Sequence, residues 1–240
     1  MRIGPHPHIG LQTVTWLLEG EALHTDSLGS EQLIRPGQLN LMTAGRGVAH
    51  AEESPLRGSI HGVQLWVAQP QATRHGAPDF EHHVELPAFE LGSFHLTVMI
   101  GGLAGVESPA RADTSIVGAD LASEGGRTIV PLDEDFEHAL LVVAGTVEIH
   151  GEVIQPGVLA YLGTGRDELP ISTAEPSRAL LIGGRPFGEE VLMWWNFVAR
   201  TRDEIDEAYR DWEAHSERFG DVASDLARIP APAPVWSRPT

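Results

Sequence analysis

Pro5-His6-Pro7-His8 opens, and Val48-Ala49-His50-Ala51-Glu52 closes, the stretch on which the reading of this chain turns. Residues two apart on an extended chain point to the same side, so His6 with His8, and His50 with Glu52, can each present two metal-ligating atoms to one face. Pro5 and Pro7 fix their own φ and push the preceding residues away from helix, which biases His6 towards the extended region. Between the pairs, alternating segments over 13–18, 21–27 and 39–42 are punctuated by Glu19-Gly20 and Arg35-Pro36-Gly37. Short strands and tight turns of this kind are how a barrel brings distant segments together.

The full run from Pro5 through His6-Pro7-His8-Ile9-Gly10-Leu11-Gln12-Thr13-Val14-Thr15-Trp16-Leu17-Leu18-Glu19-Gly20, then Pro36-Gly37-Gln38 and Met42-Thr43-Ala44-Gly45-Arg46-Gly47-Val48-Ala49-His50-Ala51-Glu52, resembles the pirin family of the cupin superfamily. The similarity continues through Gly183-Gly184-Arg185-Pro186-Phe187 and so covers most of the chain. The resemblance implies an all-β bicupin, two cupin-type β-barrels with a C-terminal α-helix. It also implies a single-iron site of three histidines and one glutamate, matched residue by residue to His6, His8, His50 and Glu52. Family members carry further residues before the histidine pair, whereas five precede His6 here, which predicts a start truncated relative to the family.

Lys+Arg is 16 against Asp+Glu 34 in 240 residues, a formal charge of −18, and every basic residue is arginine. Such a field repels phosphate backbones and argues against direct nucleic-acid binding. Without cysteine there is no thiol nucleophile and no Cys-ligated zinc, so a metal must sit on nitrogen and oxygen. No apolar run reaches the roughly 20 residues of a membrane span, and no signal peptide precedes the ligand motif, so a cytoplasmic protein with no membrane partner is expected.

Further along, 59–67 reads as a strand on which Gln64 is either an ordinary polar residue or a contact to the site. The stretch 69–87, with His75, His82 and His83, has a loop composition and is read as carrying solvated histidines. A strand at 94–100 and a Gly-rich connection place the boundary near Ala110. The expected domains are 1–109 (metal-binding), 110–200 (metal-free) and 201–240 (helix and proline-rich tail). Strands are predicted at 115–121, 128–131, 139–143, 146–150, 159–162 and 179–182. Ala144-Gly145-Thr146-Val147-Glu148 and Gln155-Pro156-Gly157-Val158 echo the turns of the first half, a degenerate internal repeat. Where that repeat calls for a His-x-His pair there is only His138.

The apolar run 191–198 must pack, and covering the first barrel is its expected role. Thr201-Arg202-Asp203-Glu204 is a capping box, and Ile205, Ala208, Tyr209 and Trp212 form a packing stripe on a helix predicted over 202–219, with Gly220 as its stop. Pro230-Ala231-Pro232-Ala233-Pro234 is expected to be extended or disordered. Gly45-Arg46-Gly47 and Gly163-Thr164-Gly165 are turns rather than dinucleotide fingerprints, and no nucleophile elbow is present.

Three neutral imidazoles and one carboxylate leave an octahedral divalent metal with two open positions. Zinc, preferring four ligands, would be closed, whereas Fe(II), Mn(II), Co(II) or Ni(II) could still take substrate and O₂. The resemblance makes Fe(II) the first choice. It further implies a quercetin 2,3-dioxygenase-type activity, in which the 3-hydroxyl of a flavonol is deprotonated and O₂ opens the heterocycle with release of CO. Glu52, one of the four ligands, is also the candidate base and the single catalytic candidate. The alternative is a non-enzymatic, metal- or redox-responsive regulator acting through a protein partner.

Overall fold

The computed structural model describes residues 1–54 and 58–237. The chain divides into two units, Met1–Val84 together with Glu189–Thr240, and Glu85–Gly188. In the first, the alternating segments become β1 (Arg2–His8), β2 (Leu11–Glu19), β3 (Ala22–Asp26), β4 (Glu31–Ile34), β5 (Leu39–Thr43), β6 (Val48–Glu53), β7 (His61–Ala68) and β8 (Asp79–His83). They form two antiparallel sheets, ordered β1-β6-β3-β4 and β7-β2-β5-β8. Every residue of β5 is buried, so its backbone groups need partners on both edges. That need accounts for β8, which lies within the stretch read as loop: it pairs with β5 from Thr43↔Asp79 to Leu39↔His83. His82 and His83 are correspondingly half-buried and partnered, by Asn40 Oδ1 at 2.7 Å and Glu81 Oε2 at 2.9 Å, rather than free in solvent.

The second unit contains β9 (Ala88–Leu91), β10 (Phe94–Leu103), β11 (Val106–Glu107), β12 (Ile116–Ser123), β13 (Gly126–Pro131), β14 (Glu137–Ala144), β15 (Val147–Ile149), β16 (Glu152–Ile154), β17 (Leu159–Gly163), β18 (Glu168–Thr173) and β19 (Ser177–Gly184). One sheet runs β11-β10-β12-β19-β14-β17 with β9 on β10, the other β13-β18-β15-β16. Leu96, Val98, Leu121, Leu140 and Val142 from one meet Val130, Val147, Leu169 and Ile171 from the other in a single core. The boundary expected near Ala110 falls instead between Val84 and Glu85. The reason is β10, which pairs with β12 from His95↔Ala122 to Gly101↔Val117 and so cannot belong to another domain. β18 escaped the sequence reading because Pro170 demotes a strand. It is tolerated because β15 pairs only with Ile171 and Ser172, leaving Pro170 past the end of that ladder.

The repeat is visible in the topology. The order β1-β6-β3-β4 recurs as β13-β18-β15-β16, and β7-β2-β5 recurs as β19-β14-β17. The echoed turns occupy equivalent places, with Gly20 and Gly145, and Gly37 and Gly157, all at positive φ where a side chain would be strained.

After the second unit the chain returns to the first as a hairpin of β20 (Leu192–Trp194) and β21 (Phe197–Ala199), followed by α1 (Arg202–Glu213). Ile9 bridges Phe197, and the Val198 N–H donates to Ile9 O at 3.1 Å. Gly10 permits this approach, since a Cβ there would stand 2.2 Å from Val198 O. Phe197, Ile205, Ala208, Trp212 and Phe219 then pack with Ile9 and Ala49, so the segment 201–240 is part of the first unit rather than a separate appendage. Both bonds of the Thr201/Glu204 capping box are present. The helix ends at Glu213, short of the predicted 219, in a Schellman arrangement. His215 takes φ 54°, its N–H donates to Trp212 O, and Ser216 N–H donates to Asp211 O. That turn swings Phe219 back to 5.6 Å from the Trp212 ring. The tail is held to the helix: Trp212 Nε1 donates to Ile229 O and Ala231 N to Glu213 Oε1, each at 2.9 Å, and Val235–Ser237 close in a 3-10 turn.

Candidate metal centre

β6 carries the centre of the site, with β1 on one side and β3 on the other. The register sets His6 opposite His50 on β1, and Asp26 opposite His50 and His24 opposite Glu52 on β3. A register shift between Ile3 and His6 accompanies the Pro-flanked segment. The four residues expected from the sequence are thus neighbours on one sheet. His8 and His50 are fully buried, and His6 and Glu52 are 7% and 8% exposed. His6, His8 and His50 each offer a nitrogen within 4.8 Å of the others; a second such group is His24, His50 and Glu52. No single group of that tightness holds all four, and His50 is shared by both.

His8 Nε2 and His50 Nε2 are 3.0 Å apart, the separation of two adjacent ligands at roughly 2.1 Å from a common ion and at right angles. His6 Nδ1 bonds Gly4 O at 2.9 Å. A carbonyl only accepts, so Nδ1 is protonated and Nε2 keeps the lone pair a metal needs. Burial pushes the His6 imidazole below its ordinary pKa and those of His8 and His50 well below, the neighbouring histidines adding to the effect. The three rings are therefore held uncharged near neutrality, so no imidazolium has to lose its charge before a metal binds. Burial raises Glu52, partly offset by His24 and by a hydrogen bond from Gln64; a cation beside it would favour the carboxylate instead. The donor set of buried, neutral imidazoles beside one carboxylate fits a first-row divalent metal.

Around these lie residues that the sequence reading weighed or missed. Gln64 Nε2 donates to Glu52 Oε1 at 2.9 Å and to Thr15 Oγ1 at 3.1 Å, while Trp66 Nε1 donates to Gln64 Oε1 at 3.2 Å. Trp66 is 41% exposed, its ring edge-on to His8 at 5.3 Å. His24 and Asp26 were missed, although His24-Thr25-Asp26 carries the same two-apart pattern as the recognised pairs.

The equivalent positions of the second unit follow from strand register. His6↔His50 on β1 and β6 corresponds to Val130↔Leu169 on β13 and β18, and His24↔Glu52 to Ile149↔Ile171. The repeat thus sets apolar side chains where the first unit has ligand-type residues, and all four pack in the second core. His138 is on β14, the counterpart of β2, and is not the remnant of a β1 histidine pair as the sequence had suggested.

Two-sheet β units of this topology, one with a buried His/Glu cluster, define a cupin-type protein. The model of the pirin family matches residues 1–67, and that of the pirin C-terminal cupin domain matches 119–220. The chain belongs to the pirin family. A Pseudomonas aeruginosa protein named "putative quercetin 2,3-dioxygenase" is 48% identical over 98% of this chain and 76% of its own length. A Caulobacter vibrioides pirin-like protein is 35% identical over 92% and 78%. The crystal structure of a quercetin 2,3-dioxygenase from Acinetobacter baumannii superposes with a TM-score of 0.95 at 43% identity, covering 99% of this chain and 81% of that one. A bacterial pirin from Escherichia coli in complex with nickel(II) shares the fold at 22% identity and TM-score 0.63, covering 77% of each chain.

Proposed function

We propose that this chain is a metal-dependent dioxygenase that opens the ring of a flavonol, or a related enol or phenol, with His6, His8, His50 and Glu52 holding iron(II). The observation that carries the reading is the convergence of three buried imidazole nitrogens within 4.8 Å, with Glu52 two residues from His50 on the same strand. When bound, a divalent first-row metal supplies Lewis acidity and access to O₂. Glu52 takes the proton of the substrate hydroxyl. Gln64 donates to Oε1 of that carboxylate and fixes its orientation. Trp66 offers an exposed ring at the edge of the cluster on which a planar aromatic substrate stacks. The burial of His8 and His50 keeps water from the reacting centre.

The test is metal analysis combined with O₂ uptake on the iron-loaded protein, with quercetin added. Uptake that requires both quercetin and metal supports the reading; a fully loaded protein that consumes neither quercetin nor O₂ overturns the enzymatic assignment.

A further inference from the structure

His24 and Asp26 stand behind His50 on β3 and are 5% and 3% exposed. Asp26 Oδ1 accepts the backbone N–H of Leu28 and of Ser30, each at 2.9 Å, and Oδ2 lies 3.0 Å from His24 Nε2. With Oδ1 held by two backbone donors, the carboxylate offers Oδ2 as an acceptor, so His24 Nε2 is the donor. His24 Nδ1 lies 3.3 Å from His50 Nδ1, and a His50 that ligates through Nε2 has only its Nδ1–H to give, so His24 Nδ1 is the acceptor. The chain of contacts thus places the His50 proton on Nδ1 and its lone pair on Nε2, the atom facing His8 Nε2 at 3.0 Å. Phe80 stacks on His24 at 4.4 Å and 12°, holding the ring in the plane this chain of bonds requires.

We propose that Asp26 and His24 form a relay that dictates the tautomer of His50, presenting its Nε2 lone pair to the metal and strengthening it as a donor. Both are positioning residues, and the inference rests on reading His6, His8, His50 and Glu52 as the metal site. Asp26→Asn inverts the relay. The Leu28 and Ser30 N–H groups keep the amide oxygen on their side, so the NH₂ faces His24 Nε2 and can only donate. His24 then accepts at Nε2 and donates from Nδ1, which forces the His50 proton onto Nε2.

Two readouts test this on the full chain. Long-range ¹H–¹⁵N correlation spectra of the metal-free protein report each histidine tautomer, and chelator competition reports nickel(II) affinity. His50 is expected to be protonated at Nδ1 in the wild type and at Nε2 in Asp26→Asn, with affinity lower by about 10–100-fold, the usual effect of losing a partner behind a ligand. His24→Leu removes the acceptor and should lose a similar factor, whereas His24→Asn keeps an oxygen near the position of Nδ1 and should recover most of it. This pair decides the matter if Asp26→Asn does not fold. An unchanged His50 tautomer and affinity in Asp26→Asn would overturn the relay. Equal losses in His24→Leu and His24→Asn would do so too, pointing to His24 as a ligand in the His24, His50 and Glu52 group. A wild type with the expected tautomer but no nickel(II) binding would instead refute the metal-site reading.

Discussion

Gln64 Nε2 donates to Glu52 Oε1 across 2.9 Å and in doing so ties β7 of one sheet to β6 of the other. The indole N–H of Trp66 occupies Gln64 Oε1, so the amide is oriented with its NH₂ group towards the carboxylate. Gln64→Leu removes that donor while roughly preserving volume. Metal affinity is expected to fall by about 10-fold, the lower end of the range for a partner behind a ligand, as measured by chelator competition. Unchanged affinity would mean that Glu52 is held without Gln64.

His50 and Glu52 are expected to fail differently. His50→Ala deletes a neutral ligand at the centre of the cluster, so metal and turnover should be lost together. Glu52→Gln keeps shape and an oxygen but accepts no proton. Turnover per bound metal should drop by about 10²–10⁴-fold, the range for a missing general base. Metal quantification and the absorbance decay of quercetin, read on the same samples under saturating O₂, separate the two. Full turnover per metal in Glu52→Gln would remove the base assignment.

Trp66 is exposed beside the buried histidines and makes no proposed metal bond. Trp66→Ala should therefore leave metal content intact and raise KM for quercetin by about 3–10-fold, as expected for one aromatic stack. A loss confined to kcat, with KM unchanged, would argue against a stacking role.

Glu204 predicts a pH effect far from the site. Its Oε1 accepts from Arg74 Nη2 at 2.7 Å, and its Oε2 accepts from the N–H groups of Arg200 at 2.8 Å and Thr201 at 3.2 Å. Burial opposes ionisation, but these donors more than offset it, and the pKa falls from 4.5 to about 2. Because the folded value lies below the unfolded one, the stabilisation is complete above pH 4.5 and is lost as pH falls towards 2. Denaturation midpoints should decline over that window in the wild type and more shallowly in Glu204→Gln. Thr201→Ala, which deletes the helix cap, should cost about 0.5–2 kcal/mol in urea titrations at neutral pH.

Some of this was legible from local chemistry. Pro5 and Pro7 extend the chain, alternation marks β2 and β5, and a two-residue spacing sends His6 with His8 and His50 with Glu52 to shared faces. The Thr201/Glu204 box announced a helix start because both of its bonds are local, and the echoed Pro-Gly turns announced the repeat. Register is not local, and only the tertiary structure decided it. Pairing of β10 with β12 moved the domain boundary, and the exposed edge of buried β5 recruited β8 from a stretch with loop composition. The fold of β3 against β6 brought His24 and Asp26 behind His50. A strand's sequence states which residues share a face, but not which strand lies beside it, because the backbone hydrogen bonds that choose the neighbour are the same for every side chain.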